Sequence, residues 1–192
     1  YTCKFCSAGK QFTTASTVCT ICIAGRYQNQ NIATPAVCNG CPTGRYLTDT
    51  ATSEDEHDEI SDCLFCNAGK QFETSTTMCS TCSMGKYQDQ NQETSASCKT
   101  CGIGRDASSS IHPCTDCASG KYQNLTTSIT YGCNFCVTGT SFHTTSTGCS
   151  SCDQGKYQDQ NDVLSVGCKF CTAGKQFVAS TTACINCVTG AY

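Results

Sequence analysis

The chain has 192 residues, of which 22 are Cys and none is Trp, and it carries a formal charge of −3 with only 14% charged side chains. Val, Leu, Ile and Phe number 27, about 14% of the chain. That is under the roughly 20% needed for a conventional apolar core, so cross-links must help offset the roughly 1–2 kcal/mol of backbone entropy lost per ordered residue. There is no basic patch suited to nucleic acid or an anionic membrane, and no run of about 20 apolar residues that would span a bilayer.

Every Cys belongs to a C-x-x-C pair. The eleven pairs start at Cys3, Cys19, Cys38, Cys63, Cys79, Cys98, Cys114, Cys133, Cys149, Cys168 and Cys184, in steps of 16, 19, 25, 16, 19, 16, 19, 16, 19 and 16. This is the signature of a tandem array held together by sulfur chemistry.

In chain order, the first unit is short, Phe5-Cys6-Ser7-Ala8-Gly9-Lys10-Gln11-Phe12, followed by the hydroxyl run Thr13-Thr14-Ala15-Ser16-Thr17. The second is long, Cys22-Ile23-Ala24-Gly25-Arg26-Tyr27. The third, from Cys41, is long-type by its Gly44-Arg45-Tyr46 but carries about six extra residues, including the acidic run Glu54 to Glu59. That run lacks the ligand spacing of a Ca²⁺ loop and reads as a solvated, flexible segment. It divides the chain into a first sub-array, 1–62, ending in the insertion 49–62, and a second, 63–192. From Cys63 onward short and long units alternate with a 35-residue period through Cys98, Cys133 and Cys168. The unit from Cys101 departs from the pattern, with Gly104-Arg105-Asp106 and no aromatic.

Each unit is too short for a helix plus its connections. The expected fold class is therefore small and disulfide-rich, an elongated tandem-repeat rod of short β-ribbon and turn units with little regular secondary structure. The Gly after each pair is expected to supply a positive φ or a close backbone approach. The following Phe or Tyr is expected to pack over the disulfide of a neighbouring unit.

A nearest-neighbour ladder pairs Cys6 with Cys19, Cys22 with Cys38, Cys41 with Cys63, Cys66 with Cys79, and Cys82 with Cys98. It continues with Cys101 to Cys114, Cys117 to Cys133, Cys136 to Cys149, Cys152 to Cys168 and Cys171 to Cys184. Every loop then contains one Gly near a fixed offset. A first-to-third, second-to-fourth pattern in groups of four is the rival. The spacing at Cys3, Cys6, Cys19 and Cys22 also suits a four-Cys zinc site, but eleven pairs do not tile into such sites and the three His stand at no ligand-like interval. Disulfides place the chain in the secretory pathway or outside the cell. The ladder leaves Cys3 and Cys187 over. With no initial Met or visible signal peptide, both ends read as cuts through a longer array.

A Cys followed by x-x-G-x-Y, closed by a Cys 13–16 residues on and at once followed by another C-x-x-C, resembles the ephrin-receptor-like cysteine-rich repeat. That repeat is related to the smallest modules of tumour-necrosis-factor-receptor ectodomains. The carriers are Cys22/Gly25/Tyr27/Cys38, Cys82/Gly85/Tyr87/Cys98, Cys117/Gly120/Tyr122/Cys133 and Cys152/Gly155/Tyr157/Cys168. The resemblance covers essentially the whole chain and implies one disulfide per unit and an extended array. Such arrays occur in large extracellular proteins of protists and algae and in animal receptors. The short-unit Phe pair and the Cys101 unit depart from the motif.

Asn124-Leu125-Thr126 is the one N-glycosylation sequon. The Thr/Ser clusters read as solvated turn surface, with O-glycosylation as the sharper alternative. The Gln-Asp-Gln-Asn segments at 88–91 and 158–161 read as turns. His57, His112 and His143 look isolated. No catalytic set or phosphate loop is present, so neither an enzyme nor a cofactor is expected.

Repetition argues for a structural role. Gly85-Lys86-Tyr87-Gln88-Asp89-Gln90-Asn91 recurs unchanged from Gly155, seventy residues on. The expected function is a structural subunit of an extracellular fibre, sheath or surface appendage that forms a homo-oligomer or filament and carries glycans. The alternative is a ligand-binding or adhesive receptor ectodomain.

Overall fold

The computed structural model describes residues 5–32, 34–127 and 129–191. Cys3, one of the two leftover cysteines, lies outside the described residues. Ten disulfides join the twenty Cys in the nearest-neighbour sense, from Cys6–Cys19 to Cys171–Cys184, with Cα atoms 5.5–5.7 Å apart. Cys187 has no disulfide partner among the described residues and is half-buried.

Nine of the ten disulfide-closed units hold one antiparallel ribbon of two residues per strand. The first pairs β1 (Lys10–Gln11) with β2 (Thr20–Ile21) in the register Lys10↔Ile21 and Gln11↔Thr20. In the Cys117–Cys133 unit the ribbon shrinks to a single bridge between Tyr122 and Asn134. Apart from two three-residue 3-10 turns, the described residues contain no helix, and none is long and apolar enough to cross a membrane.

Local chemistry explains the short strands. After each second Cys the chain makes a four-residue turn closed by a backbone bond such as Lys10 N–H to Ser7 O at 3.3 Å or Arg26 N–H to Ile23 O at 3.1 Å. The third residue is Gly9 with φ 78° and Gly25 with φ 74°, the left-handed position that such a turn demands. The ribbon follows at once, and its return strand runs between the two Cys of the next pair. The second of those Cys then donates its N–H to the turn Gly. Cys22 to Gly9 O, Cys82 to Gly69 O and Cys152 to Gly139 O are all 2.8 Å. Sequence distance between turn and closing pair is thus fixed twice, by sulfur and by backbone.

The core is sulfur and small side chains. One cluster holds Cys6 and Ala36 with Phe12 and Cys19 against it, and another holds Cys66, Cys79 and Ala96 with Tyr46 and Phe72. The expected aromatic packing therefore takes two forms. Phe12 and Phe72 cover the disulfide of their own unit, whereas Tyr46 reaches the disulfide of the following one. Phe12, Phe72 and the equivalent Phe142 are tied by backbone as well. Phe12 N–H donates to Ala36 O at 3.3 Å, Phe72 N–H to Ala96 O at 2.8 Å and Phe142 N–H to Val166 O at 2.9 Å.

The chain packs as two compact units, Tyr1–Cys82 with Gln88–Cys98, and Ser83–Tyr87 with Lys99–Tyr192. The sub-array boundary expected after residue 62 lies within the first, inside the ribbon that pairs Arg45 with Phe65 and Tyr46 with Leu64.

The acidic insertion is not the flexible loop that its composition suggests. Glu54–Glu56 and Ile60–Asp62 form 3-10 turns, and His57 between them is fully buried. The reason is that backbone groups and one buried imidazole, rather than apolar side chains, anchor the segment.

Candidate functional site: the joint between repeats

The recurring site is the joint between successive units. The turn Gly of one unit donates its N–H to the carbonyl of the residue after the aromatic in the next. Gly9 to Gln28, Gly69 to Gln88, Gly104 to Gln123 and Gly139 to Gln158 are all 2.7 Å. The same residue donates its own N–H one unit further. Gln123 N–H to Thr145 O, Gln158 N–H to Ser180 O and Leu47 N–H to Ser75 O are all 2.9 Å. One residue therefore ties three consecutive units.

Side chains reinforce this hub. Gln28, Gln88, Gln123 and Gln158 are all at most 2% exposed. Gln28 Nε2 donates to Ser7 O at 3.2 Å and Lys10 O at 3.1 Å, and Gln123 Nε2 to Gly102 O and Arg105 O at 3.4 and 3.3 Å. Their Oε1 atoms accept from the backbone two residues on, Gln30 and Leu125. Gln158 Nε2 instead donates to Gln160 O at 2.6 Å, and Gln88 Nε2 is buried without a partner among the described residues. A buried amide must find partners from the backbone it crosses, which is why Gln recurs at this position.

The Asn that ends Gln-x-Gln-Asn is a second fastener. Asn31 Oδ1 accepts from Ala8 N–H at 3.1 Å, Asn91 Oδ1 from Ala68 N–H at 2.9 Å, and Asn161 Oδ1 from Thr138 N–H at 3.0 Å. These segments are turns, but turns that bind the preceding unit. Asn91→Ala is expected to destabilise the first compact unit by about 1 kcal/mol, the usual net value of one such bond, read as a lower urea midpoint with unchanged slope.

The hydroxyl clusters are also more than solvated surface. Thr74 Oγ1 lies 3.2 and 2.7 Å from the hydroxyls of Thr76 and Thr77, and Thr144 repeats this with Ser146 and Thr147 at 3.3 and 2.7 Å. These tight turns seat against glycines two units upstream. A Cβ on Gly25 would lie 2.9 Å from Ser75 Oγ and one on Gly104 3.5 Å from Ser146 Cβ, and the later turn at Ser180-Thr181 does the same for Gly139, at 2.9 Å from Thr181 Cγ2.

The acidic insertion fills the equivalent seat beside the first unit. The Glu54 carbonyl lies where a Gly9 Cβ would be, and the Glu54 carboxylate pairs with Lys10. Gln28 N–H donates to His57 O at 2.9 Å. The His57 ring sets Nδ1 2.7 Å from Arg26 O and Nε2 2.9 Å from Asp49 Oδ2. Asp49 also accepts from Thr52 N–H at 2.9 Å, from Ser53 N–H at 3.4 Å and from the Thr52 hydroxyl. Those Thr52 bonds, aided by His57 and Ser53, hold its carboxyl well below the ordinary carboxylate range. Two clefts flank the segment. One of about 580 Å³ is lined by residues including Leu47, Asp49, Glu56 and Asp62, and one of about 370 Å³ by Asn29, Asn31, Asp58 and Glu59. Burial, with the negative charges of Asp62, Glu59 and Asp55, pushes the Asp58 carboxyl up.

Because the Asp49 carboxyl is depressed in the fold, its contribution to stability is complete above about pH 4, the ordinary value, and is lost as pH falls through the lower folded value. Acid titration of the wild type and Asp49→Asn should show the two proteins converging in stability at the acid end and diverging above about pH 4.

Asn124 is exposed, with its amide beside Gly148, where an added Cβ would come within 3.0 Å of Nδ2. Asp106, in the place of Gln11 and Gln71 in the variant unit, where Ala107 replaces the aromatic, has its carboxylate close to Cys117 and Cys133. Both sulfurs are in one disulfide, so neither offers the thiolate that a metal would need. In that unit Ser109 and His112 take the places of Thr74 and Thr77, with Ser109 Oγ 2.7 Å from His112 Nδ1. Reading the sequence missed the buried Gln hub and His57. The Gln was visible as Tyr-Gln at 27–28, 87–88, 122–123 and 157–158; nothing in the sequence marked His57 out among three scattered histidines.

The chain is thus a tandem array of cysteine-rich repeats whose ten disulfides call for an oxidising compartment. No protein-family model matches it, and no curated protein is similar to it.

Proposed function

We propose that this chain is a structural subunit of an extracellular fibre, sheath or surface appendage, in which disulfide-stapled repeats self-associate. One observation carries the reading: the same backbone joint recurs at a fixed interval. Gly69 to Gln88, Gly104 to Gln123 and Gly139 to Gln158 repeat at 2.7 Å every 35 residues. A uniform joint makes stability a sum of unit and neighbour terms and gives the array one geometry to propagate. A single-ligand receptor needs one place that differs. The short ribbons and the one-disulfide unit also suit the ephrin-receptor-like repeats that the motif resembles, and those are extracellular. The chain's partners on this reading are copies of itself. Glycans on exposed Asn124 and on the hydroxyl turns would protect the surface.

The second reading, a ligand-binding or adhesive ectodomain, is favoured by the departures from uniformity, the cleft beside the acidic insertion and the variant unit from Cys101. Negative-stain microscopy of the purified protein separates the two. Concentration-dependent filaments or sheets support the structural subunit; dispersed particles at all concentrations overturn it. Mass spectrometry of non-reduced peptides reports the disulfides and glycans together.

A further inference from the structure

A filled glycine seat takes its loop from the unit two places further on. Ser75 and Thr76 lie over Gly25, Thr145 and Ser146 over Gly104, and Ser180 and Thr181 over Gly139, and these glycines are buried. Gly174, in the tenth closed unit, has the same left-handed backbone with φ 80°. It is exposed, and a Cβ on it would meet nothing within 4 Å. Local sequence is not the reason. Ala173-Gly174-Lys175-Gln176-Phe177 repeats Ala8-Gly9-Lys10-Gln11-Phe12 residue for residue, and Gly9 is a buried, filled seat. The first closed unit shows the converse, a turn without a seat. Thr17 donates its N–H and its hydroxyl to Thr14 O at 3.0 and 2.8 Å, and Thr14 N–H donates to Thr17 Oγ1 at 3.2 Å, so the turn is already folded. Ala15 holds the place of Ser75, Thr145 and Ser180; those three are half-buried, and Ala15 is exposed. The carbonyls of the three accept N–H groups from Leu47, Gln123 and Gln158 at 2.9 Å, whereas Ala15 O has no donor among the described residues.

We infer that the Thr13–Thr17 turn of one copy seats on Gly174 of a second copy, so that the contact ordering each array internally also joins one array to the next. This rests on the self-association proposed above and names its surface. Continuity with the internal seats selects the occupant. Gly104 and Gly139 stand in the short-unit place and take turns from that same place, and Thr13–Thr17 is such a turn, preformed and uncovered. A hydroxyl turn fits because it presents small side chains to a backbone that has no Cβ. Turn and seat are different surfaces, each used once per copy. The contact is therefore heterologous, and a copy bound through its turn still offers its seat. One turn on one glycine is a small interface, so association is weak and rises with concentration.

The test blocks each surface separately. Asn tolerates the left-handed region better than other side chains, so Gly174→Asn fills the seat with little backbone strain. Gly132→Asn is its control, at φ 96° with nothing within 4 Å and no place in the seat. Ala15→Arg blocks the turn. Non-reduced mass analysis checks that each variant keeps the ten links. In sedimentation equilibrium the 192-residue chain should associate as concentration rises. Gly174→Asn and Ala15→Arg should each weaken that association by about tenfold or more, and Gly132→Asn should leave it unchanged. An equimolar mixture of the two blocked variants should form dimers that grow no further, because one keeps its turn and the other its seat. A wild-type chain that stays monomeric at every concentration overturns both this inference and the self-association beneath it. Wild-type assembly that neither variant weakens, or a mixture that forms no dimer, overturns the inference alone and assigns self-association to another surface.

Discussion

Replacing Cys66 and Cys79 together by Ala is expected to lower the stability of the first compact unit by about 3 kcal/mol or more. Closing a loop of this size removes about 3 kcal/mol of unfolded-state entropy in the simplest treatment. The two sulfurs are also at most 8% exposed and form one of the two clusters that serve as core, so their loss opens a cavity beneath Phe72 and Tyr46. Because neighbours depend on each other through the glycine–glutamine joint, the damage should spread to the adjoining ribbons and stop there. Hydrogen exchange should show lost protection at Gly69 and Cys82 with Gly139 and Cys152 unaffected. Uniform loss along the chain would mean that the array folds as one cooperative block.

Gly44→Ala is the second large effect, and Gly155→Ala is its control. Both glycines sit at φ of 80–82°, so both alanines incur roughly 1–2 kcal/mol of left-handed strain. Only Gly44 is also a seat. A Cβ there would overlap the backbone carbonyl of Thr94, whereas one on Gly155 meets nothing within 4 Å. Gly44→Ala should therefore unseat the 88–98 segment and cost several kcal/mol, against about 1–2 for Gly155→Ala. Thermal melts of the two variants read the difference directly. Equal shifts would mean that the Thr94 backbone yields without penalty.

The fold was largely legible because its determinants are local. A C-x-x-C pair, a Gly at a fixed offset and an aromatic two or three residues later specify a turn, a ribbon and a closing link within some twenty residues, and periodicity states that each unit resembles the next. What lay between the units was harder to read. Gln28 and Gln123 look like ordinary polar surface in a Gln- and Asn-rich stretch, yet they are buried because a backbone with few apolar side chains must satisfy its carbonyls with amides. The acidic insertion misled for the same reason. Composition marks Glu54 to Glu59 as solvated, but a segment docked through its backbone and one histidine leaves no apolar trace in the sequence. The seat at Gly44 for Thr94, fifty residues away, has no local signal at all beyond the glycine.

The ladder has a mechanical consequence. A force applied to the two ends of such a chain does not run along the backbone. It crosses from Cys6 to Cys19 through sulfur, passes Thr20 and Ile21, enters Cys22 and jumps to Cys38. Only the two residues inside each C-x-x-C pair bear load, and each closed loop, with its turn, seat and hydroxyl cluster, is slack. Fully drawn out, one unit advances only about 10 Å of backbone at roughly 3.5 Å per residue, plus the 5.5–5.7 Å step across the link. Cutting a single link by reduction would release a 13-residue loop, about 40 Å of stored contour. While oxidised, the array can extend no further than this limit, and under reduction it lengthens in discrete steps whose size records which loop was opened.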